Sequence, residues 1–234
     1  MKTARFSRQQ KGFTLVEIAI VLVVIGLMLG GVLKGQELIN SAKVKSLSND
    51  FRTLSTLVYG YQDRFRAFPG DQTQGQLDTS FGANAASACT PAAAGLCAPN
   101  NGRLDGEWNA QAVTAETFTF WQHVRLANLA TGSTNTGDAN YLPRNADGGP
   151  IGVESGVSST GTATPMIAGM RGAYYVCSGN ILGRYAKQID AAMDDGNTAT
   201  GAVRVALTGA SRGDAATATA DVLDGQQYTV CAAF

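Results

Sequence analysis

The sequence predicts an α+β chain: a long N-terminal α-helix, apolar in its first half and amphipathic in its second, packed on a head domain built around a small antiparallel sheet. Three observations predict it. The run from Phe13 to Leu33 is apolar except for Thr14, Glu17 and glycines. No proline stands between Met1 and Phe68, and an apolar seam continues through that stretch. Beyond Gly70 the chain turns to Gly, Ala, Thr, Ser and Asn, with short segments of helical and of strand character between turns.

The first element is a charge asymmetry. The whole chain balances 18 basic against 18 acidic residues, so no excess positive field collects phosphates and nucleic acid is not indicated as a partner. The balance hides Lys2, Arg5, Arg8 and Lys11, which precede the apolar run without an acid among them. A helix needs about 20 apolar residues to cross a bilayer core. By the positive-inside rule the basic segment stays cytoplasmic and the rest of the chain passes to the other side. An ordinary secretory signal has the same outline. Against it, no small-x-small cleavage site closes the run; Lys34, Gln36 and Glu37 follow and the helical pattern continues.

Glu17 is the anomaly in this span, since an ionisable side chain within a bilayer is costly and marks function by default. Its neighbourhood, KGFTLVE from Lys11 to Glu17, resembles the prepilin leader and cleavage motif of type IV pilins and type II secretion pseudopilins. That resemblance implies cleavage by a prepilin peptidase after Gly12, N-methylation of the new amine at Phe13, and assembly with other pilin or pseudopilin subunits through an inner-membrane platform. It divides the chain into a leader over 1–12, a transmembrane helix half over 13–35, an amphipathic half over 36–68 and a periplasmic or extracellular head over 69–234. The expected location is the bacterial inner membrane, in contact with lipid, and then a pilus, pseudopilus or cell surface. Many members of the family carry a helix-breaking proline in this part of the rod, where Lys34 and Gly35 stand here.

Physical chemistry gives Glu17 a role at that place. A carboxylate in the first turn favours the positive end of the helix dipole, and the amine created at Phe13 is the nearest cation. Within one chain the two are a helical turn apart; between packed copies, Glu17 of one chain facing the Phe13 amine of another fixes axial register. The plainer alternative is a carboxylate that protonates or reaches the headgroups.

The seam after the span runs through Val44, Leu47, Phe51, Leu54, Val58, Tyr61, Phe65 and Phe68, in steps of three and four. A rod from Phe13 to Arg66 is about 80 Å long at 1.5 Å per residue. A free coiled coil would show the same seam, but its aromatic residues are bulky for a two-stranded core and favour docking on the head. Pro69-Gly70-Asp71 ends the rod.

In the head, Cys89, Cys97, Cys177 and Cys231 form an even set suited to an oxidising compartment. Of three connectivities, Cys89 with Cys97, across a short loop, and Cys177 with Cys231, tying a middle strand to the last one, are expected. Thr114–Ala130 reads as a helix burying Phe118, Trp121, Val124 and Leu129. A long loop region with one short strand follows to Thr164. Strands are expected around Tyr175, around Val205 and at QQYTVCA, with a helix from Ile181 to Asp195.

Asp194, Asp195 and Asn197 are weak candidate ligands for calcium, since hard cations take oxygen donors, but the twelve-residue calcium-loop spacing is absent and a turn explains them as well. No other cofactor is indicated. Asn100, Asn101, Gly102 and Asp105 form a second turn-like cluster. His123 has no nucleophile or carboxylate pair beside it and reads as a satisfied histidine on a helix surface. No phosphate loop or nucleophile elbow is present, so no enzyme is expected. The resemblance implies a structural subunit of a pilus or pseudopilus, with a minor pilin or pseudopilin favoured by the large cysteine-bearing head. Its rival is a single-span, membrane-anchored periplasmic binding protein or enzyme with an uncleaved anchor.

Overall fold

The computed structural model describes residues 12, 14–90, 96–156 and 163–234. Four α-helices and four strands occur among them: α1 (Leu15–Phe65), α2 (Gln74–Phe81), α3 (Glu116–Leu126), β1 (Ile151–Glu154), β2 (Tyr175–Leu182), α4 (Gly183–Met193), β3 (Val203–Leu207) and β4 (Gln227–Ala233). The strands form one antiparallel sheet in the order β1-β2-β4-β3. The architecture is α+β and pilin-like, a long N-terminal helix with a C-terminal four-stranded sheet. Chain contacts separate residues 1–42 from a second unit, Lys43–Phe234.

Within the first unit, α1 presents apolar side chains outward at nearly every position from Leu15 to Leu33. In the second unit the same helix buries Val44, Leu47, Phe51, Leu54, Leu57, Val58 and Tyr61. The seam therefore docks on the head and is not the core of a free coiled coil. The helix ends where Arg66 adopts a left-handed conformation, with its N–H still bonded to the Gln62 carbonyl at 2.9 Å. Gly70 follows with a positive φ, and a side chain there would strike the Glu116 carbonyl.

The sheet is buried on both faces, and the period-2 alternation of its strands decides which residue goes where. Val176, Val203, Val205, Tyr228 and Val230 join the main core with the α1 seam, Tyr185 and Ile189 of α4, and Phe120 and Val124 of α3. Tyr175, Cys177, Ala206 and Cys231 face the other way, under Trp108, Met166, Ile167 and Met170. Cys177 and Cys231 are directly opposite in the β2–β4 register and are joined by a disulfide; Cys89 is joined to Cys97. β2 carries an irregularity between Ser178 and Ile181, where Asn180 has a positive φ. This irregularity lets the strand continue to Leu182, so α4 begins at Gly183 and not at Ile181.

On that second face, Glu154 of β1 is fully buried and binds Arg212 through both oxygens, at 2.7 and 2.5 Å. It also accepts the N–H groups of Trp108 and Met166, each at 3.0 Å. Burial raises the carboxyl's pKa, and Arg212 pulls against it. Removing the guanidinium strands a buried carboxylate, so Arg212→Ala is expected to lower unfolding stability by about 3–5 kcal/mol, measurable by urea titration.

Candidate functional site

The first turn of α1 explains why Glu17 stands where it does. Thr14 caps the helix: its Oγ1 accepts the Glu17 N–H at 3.3 Å, while Glu17 Oε2 accepts the Thr14 N–H and the Thr14 hydroxyl, both at 2.8 Å. This reciprocal pair is a capping box, and it satisfies donors that a helix start otherwise leaves bare. Sequence reasoning missed Thr14, although the T-x-x-E spacing of Thr14-Leu15-Val16-Glu17 signals it. Gly12, at the edge of this site, has no atom of the described residues within 4 Å of where a β-carbon would sit. Phe13 and the basic residues Lys2, Arg5, Arg8 and Lys11 lie outside the described residues.

Behind the cap the helix is sheathed in exposed Leu15, Val16, Ile18, Ile20, Val21 and Leu22, and the pattern continues to Leu33. By length and composition α1 is able to cross a membrane. Gly26, Gly30, Gly31 and Gly35 have open space where side chains would be. They thin the helix surface over three turns without interrupting its hydrogen bonding, as close-packing positions between helices do.

The head places the other singled-out residues differently from one another. His123 is not on a helix surface; it is fully buried, because α3 packs on nearly its whole circumference. Its Nδ1 accepts the Gly70 N–H at 2.9 Å, which leaves Nε2 to donate to the Ser87 carbonyl at 3.0 Å. Burial holds its pKa down at about 4, so it stays neutral and pins the end of the rod to α3. The Asn100-to-Asp105 cluster is a turn wrapped on carboxylates: Asp71 accepts the N–H groups of Asn101 and Gly102 at 2.9 and 2.8 Å, and Asn101 Nδ2 donates to Asp105 at 2.6 Å.

Glu116 closes that turn. It is fully buried and accepts the Asp105 and Ala98 N–H groups at 2.9 and 2.8 Å. Burial first, then Asp105 and Asp71, push its pKa up to about 8 against those two bonds. The Cys89 sulfur lies 3.7 Å from Oε1 and, being in a disulfide, has no proton to donate. A protonated Glu116 supplies one. The folded chain thus holds a proton that the unfolded chain releases near pH 4.5, and stability falls as pH rises from there to about 8. The expected cost of full ionisation is on the order of a few kcal/mol. Melting temperature followed across that range checks it, and Glu116→Gln should flatten the decline.

Among the described residues, two groups of side chains have the proximity a metal needs: Cys89, Cys97 and Glu116, and Asp190, Asp194 and Asp195. In the first, both sulfurs are consumed by their disulfide. In the second, Asp194 and Asp195 are joined by Asp190, which sequence reasoning did not include; Asn197 instead donates its N–H to Asp195 at 2.8 Å. Burial, then Asp195 and Asp194, raise the Asp190 carboxyl to about 6.

A cleft of about 330 Å³ opens between the Trp108–Gln111 segment, Phe118, and Thr136–Arg144. Its one phenol, Tyr141, is already committed, donating to the Phe118 carbonyl and accepting the Gln122 N–H.

No curated protein and no solved structure matches the chain. One family does: residues 7–33 match the Prokaryotic N-terminal methylation motif. The matched stretch contains Gly12, Phe13, the Thr14–Glu17 capping box and the exposed apolar surface through Leu33. The chain therefore carries at its N-terminus the methylation motif that forms the leader of type IV pilin and pseudopilin precursors.

Proposed function

We propose that the protein is a structural subunit of a type IV pilus or pseudopilus, in the class of minor pilins or pseudopilins. One observation carries this reading: the methylation motif coincides with a capped helix start whose apolar side chains are all exposed behind it. Such a surface has two favourable environments, lipid before assembly and sister helices after it.

In this account prepilin peptidase removes residues 1–12 and methylates the amine of Phe13. The processed chain waits in the inner membrane with its head in the periplasm, and an assembly platform feeds it into the filament. Burial of Leu15–Leu33 among neighbours supplies the driving force. Glu17 then supplies selectivity, because a slipped register leaves a carboxylate and an amine unpaired in an apolar medium. The cysteine pairs suit the head to an oxidising space. Nothing in this function calls for catalysis by the chain itself.

Mechanical shearing of cells that express the assembly machinery tests the proposal. The processed chain should appear in the sheared filament fraction together with other pilin-type subunits, and should be lost from it when the platform is deleted. Full-length chain confined to the membrane fraction would support the uncleaved-anchor alternative instead.

A further inference from the structure

The last turn of α4 has an electrostatic arrangement that no ion pair among the described residues balances. Asp190 is 0 % exposed, and among the described residues neither of its carboxylate oxygens has a hydrogen-bond partner, although the Gly196 N–H favours its charged form. One helical turn later come Asp194 and Asp195, and one oxygen from each of the three carboxylates lies within 4.8 Å of the others. The cluster sits at the C-terminal end of a helix, where the backbone already presents partial negative charge and cations, not anions, are favoured. None of the ion pairs among the described residues involves these three side chains.

The two outer carboxylates are held in place from behind. Asp194 Oδ2 accepts the Val203 N–H at 2.8 Å, and Asp195 accepts the Asn197 N–H at 2.8 Å and the Thr200 hydroxyl at 3.0 Å. Gly201, at positive φ, lets the chain pass Asp194 where a β-carbon would overlap Oδ2. Oriented carboxylates backed by hydrogen bonds, around a buried one with none, are what a coordination shell needs. Burial grades from Asp190 (buried) through Asp194 (half-buried) to Asp195 (exposed), so the site has a closed floor and an open mouth for water ligands.

We propose that Asp190, Asp194 and Asp195 bind a divalent hard cation of the calcium class, which locks the α4–β3 loop onto the sheet. Three carboxylates with waters completing the shell fit the larger, geometrically tolerant ion better than magnesium, which demands a near-ideal octahedron. A site of this kind in an exported domain has a dissociation constant of about 10⁻⁴ to 10⁻³ M. The expected affinity rests on the proposed export of the head; the coordination itself does not depend on the assembly role.

The test is calcium titration of the full chain in detergent micelles, by calorimetry and by thermal melting, with magnesium chloride and with sodium chloride at matched ionic strength as comparisons. Calcium should bind once per chain and raise the melting temperature, and Asp190→Asn should weaken binding at least about tenfold, since it removes the buried ligand. In EDTA the same variant should melt higher than the parent, because it deletes an unpaired buried charge; a merely structural aspartate would melt lower on substitution. Asp195→Asn, at the exposed rim, should fold normally and bind more weakly. No calcium-specific heat or melting shift in the parent chain, or an Asp190→Asn variant that responds to calcium like the parent, would overturn the proposal.

Discussion

Gly12→Val is expected to leave the protein as a precursor that keeps its basic N-terminal segment, seen as a slower band on a gel, with processing reduced to background. The effect is all-or-none because the scissile bond would lie between Gly12 and Phe13, and a peptidase must bring its reacting groups within hydrogen-bond reach of that carbonyl. A branched side chain beside the bond obstructs that approach. The described fold contributes nothing to the loss: among the described residues a β-carbon at Gly12 meets no atom within 4 Å, and the cap that starts α1 is built downstream, from Thr14 and Glu17. The variant should therefore insert in the membrane and melt like the parent, and fail only at cleavage. Normal processing of Gly12→Val would reject the proposed site.

Substitution of Glu17 has the second large expected effect, and two variants separate its two roles. Glu17→Ala removes the charge and the side-chain half of the capping box, leaving the backbone N–H of residue 17 bonded to Thr14 Oγ1, while Glu17→Gln keeps an acceptor for the Thr14 N–H and removes only the charge. Loss of that half of the cap costs about 0.5–1.5 kcal/mol, confined to the first turn. Loss of one member of a buried ion pair costs about 3–5 kcal/mol, equivalent to a hundredfold or more in association at each contact. Both variants should insert and be processed, and both should be depleted from sheared filaments by about that factor. A Glu17→Gln chain incorporated as well as the parent would reduce Glu17 to a helix cap.

The N-terminal half of this account was legible because its signals are local. Leader charge, Gly12, the placement of Glu17 and the apolar run are all sequential neighbours, and the seam from Val44 to Tyr61 repeats with a helical period. What was missed depended on contacts between distant segments or on a weak local signature. Thr14 belongs to the weak signatures, as does α2, whose Thr73–Gln76 capping box sits in a polar stretch without an apolar stripe. His123 looked like a surface residue because α3 was read as one-sided. In fact α3 lies under Gly70 and Ser87, which come from other parts of the chain and cover its polar side. Asp190 was overlooked because Asp194, Asp195 and Asn197 stand together in the sequence. Asp190 joins them only through the turn of α4, which brings residues four apart onto one face. The α4 start was misplaced by the irregularity of β2 at Asn180, a single-residue feature that periodicity does not register.

The most direct measurement is the mass and sequence of the N-terminal peptide of the chain recovered from cells containing prepilin peptidase. The account predicts a peptide that starts at Phe13 with one methyl group on its amine, and an unmodified start at Met1 when the peptidase is absent. A chain that begins upstream of Phe13 in the presence of active peptidase would contradict it.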